Sequence, residues 1–347
     1  ERTWYERVHM RGNFTIDNVL NVPSFVIWDG EASITLADSQ PVADTLMVLI
    51  EDKHDVIIRD LRFDGNYENN MDATTGNQGE NIQVKNCHDV RIEDCMIRGA
   101  RRFGINVRTY GSGKETYNVI VSTCTFLDNQ WNGLQFYRGD AVSDIWDCEA
   151  LNNYFAGSHG DISLNTFSES ESALIHDITF DGNLIDEMTG TLGSSGAAWF
   201  GIKLEWCESC SVVNNRIKGV KVGIQDDSHG NGNNTITGNS IRLGDASGSS
   251  LRIGICLKMG QNLVQGNTIY APPTNASRGI YCDGLTSSKN RLIANIFINE
   301  GSGEMKGIGL INGDGNLVAF NDFTLCNTPM YLDGDTNTQY CYNIGYP

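Results

Sequence analysis

The segment Val212-Val213-Asn214-Asn215-Arg216-Ile217 is followed by Gly223-Ile224-Gln225-Asp226 and then by Ile236-Thr237-Gly238-Asn239-Ser240-Ile241. Two short apolar strands, an Asn between them, and a third alternating strand make a unit that returns along the chain. The frame apolar-x-x-Asn-x-apolar falls on Phe180, Asn183 and Ile185; Val212, Asn215 and Ile217; Ile236, Asn239 and Ile241; Val264, Asn267 and Ile269; Leu292, Asn295 and Phe297; and Val318, Asn321 and Phe323. Upstream, the same frame reads with Leu61, Cys95, Cys124 and Cys148 in the Asn slot. A second pattern lies between these hits: Gly104-Ile105-Asn106-Val107, Gly133-Leu134-Gln135-Phe136, Asp161-Ile162-Ser163-Leu164, Gly201-Ile202-Lys203-Leu204, Gly223-Ile224-Gln225-Asp226, Gly254-Ile255-Cys256-Leu257, Gly279-Ile280-Tyr281-Cys282 and Gly307-Ile308-Gly309-Leu310. Each is a short alternating strand opened by a turn residue, and none shows helical periodicity.

A strand-only unit repeating every few tens of residues cannot bury its own apolar face. It must stack on its neighbours, which makes a solenoid of β-coils. The expected fold is all-β: a single right-handed parallel β-helix of about ten to twelve coils over residues 1–347, with an internal Asn ladder and cap regions at 1–21 and 324–347. Composition agrees. The 347 residues include 38 Gly and 35 Asn, both poor in helix interiors. The net charge of −18, from 43 acidic and 25 basic side chains, argues against nucleic acid as a partner. No run of apolar residues is long enough to span a membrane.

Strand alternation assigns the outward columns. The first reads Asn106, Gln135, Ser163, Lys203, Gln225, Cys256, Tyr281, Gly309, and the second Arg108, Tyr137, Asn165, Glu205, Asp227, Lys258, Asp283, Ile311. Glu205 and Asp227 fall on adjacent coils, about 5 Å apart at the backbone, near the carboxyl spacing of a retaining glycosidase. Cys95, Cys124 and Cys148 read as core packing, Cys207-x-x-Cys210 lacks the second pair that zinc needs, and Cys326 with Cys341 is the candidate disulfide.

The Gly-Ile-x-Leu strands, the Asn ladder, and the entry Arg11-Gly12-Asn13-Phe14-Thr15-Ile16 followed by Val22-Pro23-Ser24-Phe25-Val26 resemble the pectin lyase-like superfamily. That resemblance spans roughly Met10 to Phe323. It implies a right-handed parallel β-helix and a glycan groove on one outer sheet, in a superfamily that holds hydrolases, lyases, epimerases, tailspikes and non-enzymatic surface proteins. Asp226, Asp227 and His229 resemble the paired aspartates of polygalacturonases, but that family's later motifs are missing and its roles are not carried over. The Asp-Pro-His motif of alginate epimerases is also missing.

Three functions follow as expectations. The first is extracellular polysaccharide hydrolysis, with Glu205, Asp227 and Lys203 catalytic and with Arg108, Tyr137, Arg138, Asn165, Trp206, Asp226, His229, Lys258, Tyr281 and Asp283 contacting substrate. The second is a uronate lyase or epimerase, in which Glu205 and Asp227 are the oxygen donors for a possible calcium ion. The third is a secreted glycan-binding or structural spike without catalysis, its exposed aromatics stacking on sugar rings. Long intervals at Tyr67 to Gly79, Ser168 to Ser172 and Gly190 to Phe200 place the cleft centre near the strands of Asn165 and Glu205.

Overall fold

The computed structural model describes residues 4–38, 46–70, 79–157, 162–169, 175–186, 200–227, 232–244, 251–272, 276–283 and 288–345. One coil shows how the sequence pattern becomes structure. Ser211–Val213 and Arg216–Val220 are strands on either side of a bend, and Val222–Asp227 is the third side. Val212, Ile217 and Ile224 all point inward and are fully buried. The bend is made by Asn214, whose φ of 55° lies in the left-handed region. The same place holds Asp60, Asp94, Asn152, Gly182, Gly238 and Gly266, all at positive φ. Asn, Asp and Gly reach that region at least cost, so much of the Asn and Gly excess is bend chemistry.

Every strand pairs in parallel with the equivalent strand of the next coil. The third sides form a twelve-stranded sheet running from Leu20–Asn21 to Thr328–Asp333, which agrees with ten to twelve coils. The other two sides merge into a second sheet, because strands such as Val26–Leu36 run through the bend without a break. Together these make the right-handed parallel β-helix. The terminal segments read as caps are themselves rungs: Glu6–Ile16 pairs along its whole length with Val26–Leu36, and Gln339–Cys341 pairs with Leu317–Ala319.

Among the described residues the Asn ladder has eight rungs, two more than the sequence frame shows: Asn153, Asn183, Asn215, Asn239, Asn267, Asn295, Asn321 and Asn343. At each step the backbone N–H and the side-chain Nδ2 of one Asn both donate to the Oδ1 of the next. For Asn239 onto Asn267 these distances are 3.0 and 2.9 Å. Nδ2 also donates to a backbone carbonyl of an adjoining coil, as from Asn267 to Ile236 at 2.9 Å. Cys148 does not belong to this column. It pairs with Ile178, while Asn153 takes the slot and receives the N–H of Cys124 at 2.9 Å. The sequence frame also fits Ile145 and Ala150, because Cys148 is itself an inward residue one bend earlier.

A second ladder was not foreseen. The N–H of Cys210 donates to Oδ1 of Asn234, that of Asn234 to Asn262, of Asn262 to Asn290, and of Asn290 to Asn316, at 2.8 to 3.0 Å. All four Asn are fully buried.

The strand-opening glycines are also more than turn markers. A Cβ on Gly133 would meet the Phe155 ring at 2.5 Å, so this position must be bare for the core aromatic to fit. In the next coil the equivalent position is Ser163, since Leu134 pairs with Leu164 and Gln135 with Asn165. The frame read as 161–164 is therefore two residues out of step. Cys326 and Cys341 are free thiols instead of a disulfide.

Asn267→Ala is expected to destabilise by about 3 kcal/mol or more, since buried donors and acceptors on three coils lose partners together. Cys95→Val, a volume-conserving change in the same column, should cost less than about 1.5 kcal/mol. Urea unfolding curves of the two variants would check the contrast.

Candidate functional site: a cleft on the twelve-stranded sheet

The outer face of the twelve-stranded sheet carries a row of side-chain amides in strict register: Gln83, Asn106, Gln135 and Asn165 on four consecutive coils. Two residues further along each strand stand Lys85, Arg108, Tyr137 and Phe167. Asn165 thus belongs to the amide row and not to the Arg108 column, the consequence of the two-residue frame shift. After Asn165 the row continues through Lys203 and Gln225.

Two adjoining cavities lie over these coils, of about 490 and 550 Å³, and share Arg102, Phe103, Tyr137 and Glu169 in their walls. The first has Glu80, Gln83, Asn106 and Arg108 at its base. The second is lined by Trp131, Asn132, Gln135, Asn165 and Phe167. Aromatic rings stand among the polar groups of the walls. Tyr137 stacks on Phe167 with centroids 5.8 Å apart, and Trp131 stands 53% exposed. The Arg108 guanidinium lies 4.9 Å over the Tyr137 ring, and Arg102 sits between Phe103 and Trp131 at 4.4 and 5.0 Å.

Glu80 is the unusual group. It is 3% exposed, its Oε1 accepts from Asn106 Nδ2 at 2.8 Å, and its Oε2 accepts from Gln83 Nε2 at 2.5 Å. Burial pushes its carboxyl above the usual range, outweighing those hydrogen bonds and the charges of Arg108 and Arg102. Across the cleft Tyr137 donates its hydroxyl to Glu169, and burial together with that bond raises the phenol. Among the described residues, Oδ1 of Asn106, Oδ1 of Asn165 and Nε of Arg108 are buried without a hydrogen-bond partner. Orphaned acceptors at the base of a cleft are suited to hydroxyl donors.

The remaining expected site residues are spread out. Glu205 and Asp227 are in register on adjacent strands, two and three coils beyond Gln135. Each is held by a lysine: Lys203 Nζ lies 2.6 Å from Glu205, and Lys258 Nζ 2.9 Å from Asp227. Burial works against the charge of Lys258, but its bond to Asp227 wins and raises it. Tyr281 and Asp283 are farther on, with Arg278 packed 3.9 Å over the Tyr281 ring. Trp206 sits in the bend after Glu205, at a φ of 54°. His229 and most of the three long loops lie outside the described residues.

Two assignments are overturned. Asp226 points into the core, fully buried, where Asn234 Nδ2 at 3.3 Å and Asn262 Nδ2 at 2.7 Å donate to it. Alternation sends consecutive residues to opposite faces, so Asp226 and Asp227 cannot both face a substrate. Arg138, next to outward Tyr137, likewise turns from the groove and binds the Asp140 carbonyl at 3.2 Å and the Asp144 carboxylate at 3.4 Å.

Glu80, Arg102, Trp131 and Glu169 were missed. A signal existed for Glu80: Asn81-Ile82-Gln83-Val84 is a rung of the same sheet with Asn in place of the opening Gly. Arg102 and Trp131 lie in turns just ahead of their strands, where no periodicity marks them.

The fold is a right-handed parallel β-helix, and its twelve-stranded sheet carries an open cleft. Residues 147–344 match the family described as periplasmic copper-binding protein (NosD), and the chain belongs to that family. No curated protein sequence matches it. Similar solved structures include the Dettilon tailspike protein (TM-score 0.65, 14% identity, 94% of this chain and 61% of that one). The tailspike of E. coli bacteriophage HK620, in complex with pentasaccharide, aligns at TM-score 0.60 and 13% identity over 97% of this chain and 65% of that one. PfbA, a surface adhesin of Streptococcus pneumoniae, aligns at TM-score 0.56 and 11% identity over 88% and 82%. The chain spans less than two thirds of either tailspike. These likenesses concern the fold.

The family description raises copper, and the described donors do not fit it. Among the described residues no three His, Cys, Asp or Glu side chains converge on a point that could hold a metal ion. His54 and His88 are neighbours, but their rings stack 5.0 Å apart with planes 3° from parallel, so their lone pairs run side by side without meeting. Eight of the ten cysteines are buried, and burial pushes the thiols of Cys87 up to about 11 and of Cys148 and Cys256 up to about 12, which withholds the thiolate that copper takes. Among the described residues no helix is long and apolar enough to cross a membrane.

Two predictions follow from this site. Ellman's reagent should titrate at most Cys326 and Cys341 in the folded protein, and all ten thiols once guanidinium unfolds it; rapid labelling of more than two would contradict the enclosed core. For Glu80, the folded state holds its proton more tightly than the unfolded chain. Its contribution to stability is therefore present at low pH and declines as pH rises from the ordinary 4.5 through its raised value. The melting temperature of Glu80→Gln, measured relative to the parent, should improve steadily over that rise.

Proposed function

We propose that this protein is a glycan-binding β-helix of the periplasm or cell exterior, holding a polysaccharide lengthwise in the cleft above Gln83, Asn106, Gln135 and Asn165. The observation that carries the reading is the amide row with its unpartnered Asn106 and Asn165 carbonyl oxygens, walled by Phe103, Trp131, Tyr137 and Phe167. Sugars present apolar ring faces and hydroxyl edges, so a binding site needs aromatic walls and short, fixed polar groups on one surface. Amides held in sheet register have that fixity, because each strand sits about 4.8 Å from the next. The HK620 tailspike, which shares the fold, is in complex with a pentasaccharide, and this supports a glycan as the ligand. A family described as periplasmic supports the location.

Cleavage of the bound glycan is a second reading, favoured by the presence of carboxyl groups on the same face. Hydrolysis is preferred to elimination. Glu205 and Asp227 stand in register on adjacent strands, though each is paired with a lysine ammonium.

The binding reading is tested by calorimetry and tryptophan fluorescence on hexasaccharides of the cello, malto, chito, galacturonate and mannuronate series. At least one should bind and perturb Trp131 emission. Trp131→Ala should weaken that sugar about tenfold, the loss expected for an aromatic contact worth more than ~1 kcal/mol. Silence across the panel would count against a glycan ligand.

A further inference from the structure

We propose that Glu80 and Glu169, on the two sides of the same cavity, form a general acid and general base that hydrolyse a glycosidic bond of a glycan lying in the cleft. The inference rests on the glycan-binding reading and assigns chemistry to a pair that no sequence pattern marked.

Three observations carry it. Glu80 and Glu169 both line the cavity of about 490 Å³, so a buried and an exposed carboxyl face one sugar-sized space, the pairing that glycoside hydrolysis needs. Their surroundings differ as the two roles require. Glu80 is 3% exposed and enclosed by Asn106 and Gln83, so burial favours its protonated form, the state of a general acid. Glu169 stands at the exposed rim, where solvent can reach it and Tyr137 fixes its orientation through the hydroxyl bond. Third, Oδ1 of Asn106, on a residue 2% exposed, is buried in the wall of that cavity without a hydrogen-bond partner among the described residues. This last point speaks of a ligand independently of the carboxyls.

The step balances as follows. Glu80 gives its proton to the glycosidic oxygen as the bond from that oxygen to the anomeric carbon breaks. A water bonds to the anomeric carbon from the opposite face and passes one proton to Glu169. One water is consumed, an alcohol and an inverted hemiacetal are released, and solvent returns the proton from Glu169 to Glu80. Tyr137 acts as a positioning residue by holding Glu169.

The experiment uses the same hexasaccharide panel, read for reducing ends, for absorbance of an unsaturated sugar near 235 nm, and for the anomer first formed by NMR. For the sugar that binds, reducing ends should rise without the absorbance and with inversion. Glu80→Gln and Glu169→Gln should each lower the rate about 100-fold or more while binding stays within a few-fold. Glu169 is exposed, so its variant folds even if the buried Gln disturbs its neighbours. Tyr137→Phe should keep binding and KM but lower kcat, because Glu169 loses the bond that orients it. Binding with no product from any sugar, product that absorbs near 235 nm, a retained anomer, or full activity in Glu169→Gln would each overturn the proposal and leave glycan binding standing. Failure of every sugar to bind would overturn both.

Discussion

A chain that turns inward at every coil must bring peptide groups into an interior with no water, and satisfying them is the constraint on which this protein rests. The Asn column meets it. Each Asn from Asn153 to Asn321 accepts or donates at both ends of its amide, tying a bend to the bend above and to a carbonyl of an adjoining coil. An unpaired buried amide costs on the order of 1–3 kcal/mol, so one ladder rung touches several such terms at once. Where the column is Leu61, Cys95 or Cys124, the interior is apolar and the bend is closed by Asp60, Asp94 and Thr123 at positive φ. The second ladder, Asn234 to Asn316, applies the same solution at the other inward turn, and its spare amides accommodate Asp226 in the core.

With the bends held, the rest of the geometry is repetitive, and repetition builds the cleft. Parallel pairing in register converts one outward residue per coil into a straight row of amides, flanked by a second row bearing Lys85, Arg108, Tyr137 and Phe167. The strands alone would give a flat polar face. Concavity comes from turns that carry Arg102, Trp131 and Glu169 up on either side. Glu80 lies low in the cavity wall, hydrogen-bonded to Asn106 and Gln83, while Glu169 stands at the exposed rim.

The legible and illegible parts of the sequence divide along the same line. Period-two alternation and the Asn frame are properties of consecutive residues, so the solenoid, its sheets and the inward columns could be read directly. Errors arose where one residue type substitutes for another in a slot. Ser163 replaces Gly and shifted Asn165 by two, Cys148 mimicked the ladder position that Asn153 holds, and Asn81 hid the rung that carries Glu80. Asp226 and Arg138 were read by chemical type, whereas strand parity had already turned each away from its outward neighbour.

By itself the sequence determined the coil: which residues face in, where the chain bends, and that neighbouring coils must stack to cover what one coil leaves exposed. These follow from local stereochemistry and from burial, both of which are written in adjacent positions. The tertiary structure decided the register between coils and the depth of each side chain on the shared face. Those depend on contacts between residues roughly 24 to 39 positions apart, such as Asn106 with Glu80 and Glu205 with Thr166. A carboxyl's chemistry is set by the water and charges around it, not by its place in a repeat. That is why Glu205 and Asp227 are held by lysines, while the enclosed, proton-favouring carboxyl is Glu80.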